Sequence, residues 1–216
     1  MQRRQHKITP KRLVMAFWGV FLTGICIGLF QKASLGTDPF TSLVTGIANI
    51  FSSTYGRFYM VVTGGLLIGV ALLQRGYIGI ATILNLTLTG VTADTAKRLL
   101  DLWLIDPPLW LRALMLMLAL TVACLSASLY FTADLGVSAY DAWALMGGNE
   151  YRIASFRVCR VALDSVCVLI GLVFGANIGI GTVLQALCMG PVVHWFNIHL
   201  SEPLLVSEGT QVTERR

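Results

Sequence analysis

The chain has 216 residues, of which 56% are hydrophobic and 12% charged, with a formal net charge of +5 and a mean hydropathy of +0.73. Soluble domains carry about 25% charged residues, so the composition excludes an ordinary soluble domain, a disordered chain, a collagen and a disulfide-stapled secreted module. It points to an all-α, polytopic membrane helix bundle.

Arg3, Arg4, Lys7, Lys11 and Arg12 crowd residues 1–12, just ahead of an apolar run. Lys and Arg resist translocation, so this flank reads as a cytoplasmic orientation signal, and no nucleic-acid partner is expected. The first span runs from Leu13 to Phe30. It exceeds the 7–15-residue core of a signal peptide and reads as retained. Further long spans are expected over Phe58–Leu73, Ile78–Leu99, Leu111–Phe131, Phe156–Phe174 and Ile178–His199. Two shorter helices, Pro39–Phe51 and Val137–Gly148, lie between them. At 1.5 Å per residue a helix of 12 or 13 residues covers only about 20 Å, against a hydrocarbon core of roughly 30 Å. These two therefore read as re-entrant or half helices. The tail from Ser201 to Arg216 is polar and is expected to be unstructured.

Shifting the chain by 100 residues aligns it with itself without a gap. Ala33-Ser-Leu-Gly36 falls on Ala133-Asp-Leu-Gly136, Phe40 on Tyr140, Asn49 on Asn149 and Arg57 on Arg157. Ile78-Gly-Ile-Ala-Thr-Ile-Leu-Asn85 falls on Ile178-Gly-Ile-Gly-Thr-Val-Leu-Gln185. Gly, Thr, Arg and Asn/Gln matches at one fixed shift indicate a duplication. The chain then divides into a basic N-terminus (1–12), a first membrane repeat (13–100), a linker (101–110), a second repeat (111–200) and the tail (201–216). If each short helix returns to its starting side, each half crosses three times and the halves are inverted, a plan shared by many transporters. If it crosses, each half crosses four times. Six crossings leave Lys32, Arg57, Lys97, Arg98 and Arg112 outside, whereas eight leave only two basic residues there. Charge counting thus favours eight, and helix length favours six. Six is the expectation, with both termini in the cytoplasm.

The paired segments ASLGTDPFTSLVTGI and ADLGVSAYDAWALMGG resemble the LG-x-x-P-[WFY]-D element of the YczE/YyaS/YitT family of bacterial integral membrane proteins. IGIATILNLTLTG and IGIGTVLQALCMGP resemble its GIGT-x-x-[NQ] element. The resemblance covers about residues 13 to 200. The chain departs from the pattern at Thr41, where the family favours Asp, and at Ala139, where it favours Pro. The resemblance implies a multi-pass protein of the bacterial cytoplasmic (inner) membrane, of permease type, without naming a substrate.

Ionisable residues at membrane depth are costly and mark functional hypotheses. Asp164 lies midway along its helix, with Arg160 one turn and Arg157 two turns before it. These three are the ion-coupling candidates, or else a satisfied pair that locks packing. Asp38, followed by Pro39, is placed to cap a short helix. A short helix ending inside the membrane also aims free N–H groups at an anionic solute. Asp38, Thr41 and Asp141 are therefore solute-binding candidates. Thr82, Asn85, Thr182 and Gln185 recur at one spacing and either line a central path or serve as hydrogen-bond glue.

Gly24 and Gly28, with Cys124 and Ser128 as counterparts, allow tight packing within the chain or in a homodimer. Asp94 and His194 also correspond; His194 reads as a proton relay or an interface residue. Trp103 and Trp110 suggest an aromatic belt. Cys26, Cys124, Cys159, Cys167 and Cys188 all fall in apolar stretches and read as packing residues. No P-loop, HExxH, GxSxG or acidic metal cluster occurs, so neither an enzyme nor a cofactor or metal is expected. The expected function is a secondary transporter or permease for a small solute, sited between the repeats and embedded in the lipid bilayer. The alternative is a non-transporting membrane regulator or scaffold for a partner protein.

Overall fold

A computed structural model describes residues 8–205. Every regular element among the described residues is helical. In chain order they are α1 (Pro10–Ala33), α2 (Pro39–Ile50), α3 (Tyr55–Leu73), α4 (Ile80–Trp103), α5 (Leu109–Ala133), α6 (Ala139–Leu145), α7 (Phe156–Val173) and α8 (Ile180–Phe196). A single 3-10 turn, Arg75–Tyr77, precedes α4. Among the described residues three helices, α1, α3 and α5, are long and apolar enough to cross a membrane, against six such spans expected from the sequence. Large apolar side chains stand exposed on the outer faces, among them Leu72, Leu118, Leu169 and Val173, as a lipid-facing surface requires.

The short helix expected over Val137–Gly148 is divided. Only Ala139–Leu145 is α-helical, and Met146–Glu150 forms a π turn. Gly148 lies in this turn, where a Cβ would sit 2.8 Å from the Phe156 backbone, so the close approach of α7 requires glycine. The tail expected from Ser201 begins with helical turns instead. A π turn over Asn197–Ser201 leads into helix through residue 205. Ser201 is fully buried against the Ser128 hydroxyl at 2.6 Å, which ties the segment down.

α1 and α5 form an antiparallel central pair. The Arg12 guanidinium donates to the Ala133 carbonyl (2.9 Å), and the Ser126 hydroxyl donates to the Gly19 carbonyl (2.9 Å). Gly24 and Gly28 face α4, where a Cβ at Gly28 would lie 2.7 Å from that of Ala96. At the matching place on α5, the Ser128 hydroxyl bonds Asn197 beyond the end of α8 (2.6 Å). Both small-residue faces are thus occupied within the chain.

The short helices pack across the sequence midpoint, α2 on α7 and α6 on α3. The loops before them do the same. The Ala81 N–H donates to the Leu135 carbonyl (3.1 Å), and the Gly181 N–H donates to the Leu35 carbonyl (2.9 Å).

Candidate functional site

α1 and α5 each end on a residue in the left-handed region, Ser34 (φ 53°) and Asp134 (φ 47°). Two residues later come Gly36 (φ 113°) and Gly136 (φ 123°), a conformation that favours glycine. Space demands glycine there too. A Cβ at Gly36 would sit 2.8 Å from the Gly179 nitrogen, and one at Gly136 would sit 2.7 Å from that of Gly79. These turns launch the two short helices. Asp38 caps α2 by accepting the Thr41 N–H (3.0 Å), with Pro39 at the first helical position. Ser138 caps α6 by accepting the Asp141 N–H (3.0 Å) and donates its hydroxyl to the Asp141 carboxylate (2.8 Å).

The caps bring Tyr140 and Asp141 against α7. Arg160 bridges two carboxylates, with its Nη1 on Asp141 and its Nε 3.3 Å from Asp164. The Tyr140 hydroxyl donates to Asp164 (2.6 Å), and the Arg160 guanidinium stacks over the Tyr140 ring at 4.7 Å. The Cys167 thiol completes the group at 3.7 Å from the Tyr140 oxygen. This cluster carries two carboxylates and one guanidinium, all three side chains less than one-third exposed. Asp38 lies within electrostatic reach of Arg160 and Asp164. Asp141, Arg160 and Asp164 form the cluster itself, and Asp38 makes no hydrogen bond or ion pair to it. The side chain of Arg157 lies outside the described residues.

A chain of aromatic rings leads away from the cluster. Tyr140 stacks on Phe40 (4.8 Å), Phe40 meets Tyr59 edge-on (6.0 Å), and Tyr59 meets Tyr55 (5.6 Å). The Thr41 and Tyr55 hydroxyls are 3.5 Å apart, and the Tyr59 hydroxyl donates to Asn85 (2.6 Å). Tyr55 is buried at the edge of a polar cavity of about 540 Å³. The cavity walls come from the ends of α1, α2, α4 and α7 and the starts of α3 and α5. Four of the five basic residues that six crossings would leave outside line it: Lys32, Lys97, Arg98 and Arg112.

Of the remaining candidates, Thr82, Thr182 and Gln185 make no contact with this path, and Asp94 joins it at the cavity. Thr82 is spent on packing, donating to the Val137 carbonyl (2.7 Å) and accepting from the Gly79 N–H (3.1 Å). Thr182 is buried against Gly36. The Thr182 hydroxyl and the Gln185 carbonyl oxygen are buried without a hydrogen-bond partner. Asp94 accepts the Gly56 N–H (2.9 Å) at the start of α3 and lines the cavity. His194, Trp103 and Trp110 are exposed. Among the described residues no His/Cys/Asp/Glu group could hold a metal ion.

Sequence reasoning singled out the acidic residues and missed the aromatic ones. The available signal was the alignment of Phe40 with Tyr140 at the 100-residue shift, because two aromatic residues at equivalent short-helix starts are placed to meet. The cavity had no linear signal, since its walls come from six separate helix ends.

Residues 10–198 match the profile of a family of unknown function, DUF6198, and the chain belongs to that family. An uncharacterized protein of Haemophilus influenzae is 29% identical over 191 residues, which is 86% of this chain and 83% of that protein. The uncharacterized protein YyaS of Bacillus subtilis is 23% identical over 185 residues, 82% of this chain and 88% of YyaS. This likeness agrees with the resemblance carried by the paired LG and GIGT motifs. No solved structure matches the chain.

Proposed function

We propose that this DUF6198 protein is a small secondary transporter of the bacterial inner membrane, moving a solute between two inverted halves. α2 and α6 are re-entrant in this reading, so the chain crosses six times with both termini in the cytoplasm. One observation carries it. The two short helices, a hundred residues apart, meet at the Phe40–Tyr140 stack, with a polar cavity at one end of the aromatic chain and the Arg160 cluster at the other.

The re-entrant path has its own support. The end of α1, the end of α2 and the start of α3 all open on the same cavity. A crossing α2 would put the start of α3 on the far side. The reciprocal bonds Ala81–Leu135 and Gly181–Leu35 are the pattern expected of two copies exchanged by a two-fold axis, and the antiparallel packing of α1 on α5 favours an axis in the membrane plane. The aromatic rings act as the barrier between the cavity and the ions, as alternating access requires of an occluding layer. Charges at membrane depth cost a few kcal/mol each, and the Arg160 cluster is the group that coupling to a cation would use.

Flux measurement tests this. The full chain in proteoliposomes is given an imposed pH gradient and a panel of radiolabelled amino acids, carboxylates, phosphate and sugars. Wild type should accumulate at least one of them above empty liposomes, and Asp164→Asn should abolish the gradient-driven part. Background flux for the whole panel, with the protein shown folded, overturns the transport reading in favour of a membrane regulator or scaffold.

A further inference from the structure

We propose that the polar cavity at the ends of α1 and α4 is a binding site for a small soluble oxyanion, a carboxylate or a phosphate. Its volume of about 540 Å³ is that of a pocket for a metabolite-sized molecule. Its charges are unevenly committed. Lys32 pairs with Asp101 (2.6 Å), and Asp94 is held by the Gly56 N–H (2.9 Å). That leaves Lys97, Arg98 and Arg112, none of which makes an ion pair among the described residues; Arg112 spends only its Nε, on the Pro107 carbonyl (2.9 Å). Counted together, Lys32, Lys97, Arg98 and Arg112 stand against Asp94, Asp101 and Asp106, an excess of one cation, and neither Asp94 nor Asp106 makes an ion pair among the described residues.

Neutral groups point the same way. Gln31 and Thr45 line the cavity, and the Gln31 amide nitrogen and the Thr45 hydroxyl are buried with no hydrogen-bond partner. Buried polar groups are nearly always paired, so orphans call for a partner. Guanidinium, ammonium and amide nitrogens only donate. The complement of such a set is a group rich in acceptors and negative in charge, which is an oxyanion. Arg supplies a fork matched to carboxylate or phosphate, and Lys a point charge. Excess cations in a concave site also raise the local concentration of anions. An acidic lipid headgroup carries the same chemistry, but the cavity's walls are helix ends and polar side chains, which favour a water-borne ligand. Movement of the anion rests on the transport reading above; its binding does not.

Calorimetry on the full chain in an uncharged detergent tests the site, with succinate, inorganic phosphate and choline as probes at fixed ionic strength. At least one of the two anions should bind, more weakly as chloride is added, and choline should give no signal. The double variant R98Q/R112Q should weaken binding about tenfold or more, consistent with loss of charge-assisted hydrogen bonds. The single variants R98Q and R112Q should each weaken it several-fold, and they carry the test if the double variant does not fold. Thr45→Val should weaken binding without changing its salt dependence. Absence of binding by both anions, equal binding of choline, or wild-type binding in the Arg variants overturns the proposal. Nanodiscs of phosphatidylcholine with and without phosphatidylglycerol separate the two sources. Succinate and phosphate affinities unchanged by phosphatidylglycerol support a soluble ligand, and their loss to it overturns one. Anion binding without flux leaves this site standing and removes the transport reading. Flux of a panel solute without anion binding does the reverse.

Discussion

The turn into α2 and the turn into α6 follow the same path and carry different chemistry. Ser34 and Asp134 share the left-handed conformation, and so do Ser52 and Arg152, both at φ 47°. Gly36 and Gly136 lie within 10° of each other in φ. The side chains diverge. Phe40, Thr41, Tyr59 and Met60 stand where Tyr140, Asp141, Cys159 and Arg160 do. In the first half Tyr59 bonds Asn85 (2.6 Å); in the second, the equivalent Gln185 oxygen has no partner. All three ions of the cluster belong to the second half. The backbone is held in common because each turn must pass under a helix start in the other half, where only glycine fits. The side chains were free to divide the work. Around the ions of residues 141–164, residues 40–59 supply aromatic rings and Asp38 caps α2.

The sharpest way to break this comparison is at Arg160. Arg160→Ala leaves Asp141 and Asp164 facing each other without a counter-charge, a loss of about 3 kcal/mol for a pair removed from water. Arg160→Lys should recover only part of it, because a point charge bridges two carboxylates poorly. The equivalent Met60→Ala should cost less. Detergent-solubilised unfolding curves read all three.

The glycines come next. Gly36→Ala and Gly136→Ala should each cost about 2 kcal/mol, through positive φ and backbone collision together. Gly175→Ala, at φ 72° with open space around its Cβ, should cost only about 1 kcal/mol. Unequal losses at 36 and 136 would count against the shared turn.

Hydrogen bonding gives a smaller contrast. Asn85→Leu removes the acceptor of the buried Tyr59 hydroxyl and should cost about 1 kcal/mol. Gln185→Leu removes an oxygen that is already unpaired and should be neutral or stabilising. Thermal melts of the two variants side by side suffice. The smallest effect belongs to the caps. Ser138→Ala should cost about 1 kcal/mol, while Asp38→Asn should be nearly neutral because Asn caps as well as Asp. Lost flux in a stable Asp38→Asn variant would then report the charge rather than the fold.

Much of the fold was legible in the chain. Apolar runs marked the helical character of the chain, including the three helices α1, α3 and α5 that are long and apolar enough to cross a membrane, and Asp38-Pro39 marked the start of α2. Asp164 four residues after Arg160 predicted their pairing, because that spacing shares a helix face. The second partner of Arg160 was out of reach. Asp141 sits on another helix, and only packing of α6 on α7 brings it in. Thr82 and Asn85 looked alike by spacing, yet one is spent on a loop carbonyl and the other on Tyr59. Register along a helix does not say which neighbour a face meets. The cavity was hidden for the same reason. Its cations are scattered from residue 32 to residue 112, and charge counting alone made them look misplaced.

Cysteine accessibility at Thr54 and Gln74, the two ends of α3, is the most direct check on inverted halves around a shared path. In a background with the native cysteines replaced, intact cells are treated with a membrane-impermeant maleimide. Thr54→Cys, at the cavity rim, should label from outside. Gln74→Cys should label only after permeabilisation. The reverse pattern would mean that α2 crosses the membrane and that the halves run parallel, and the two-sided path through Phe40 and Tyr140 would not exist.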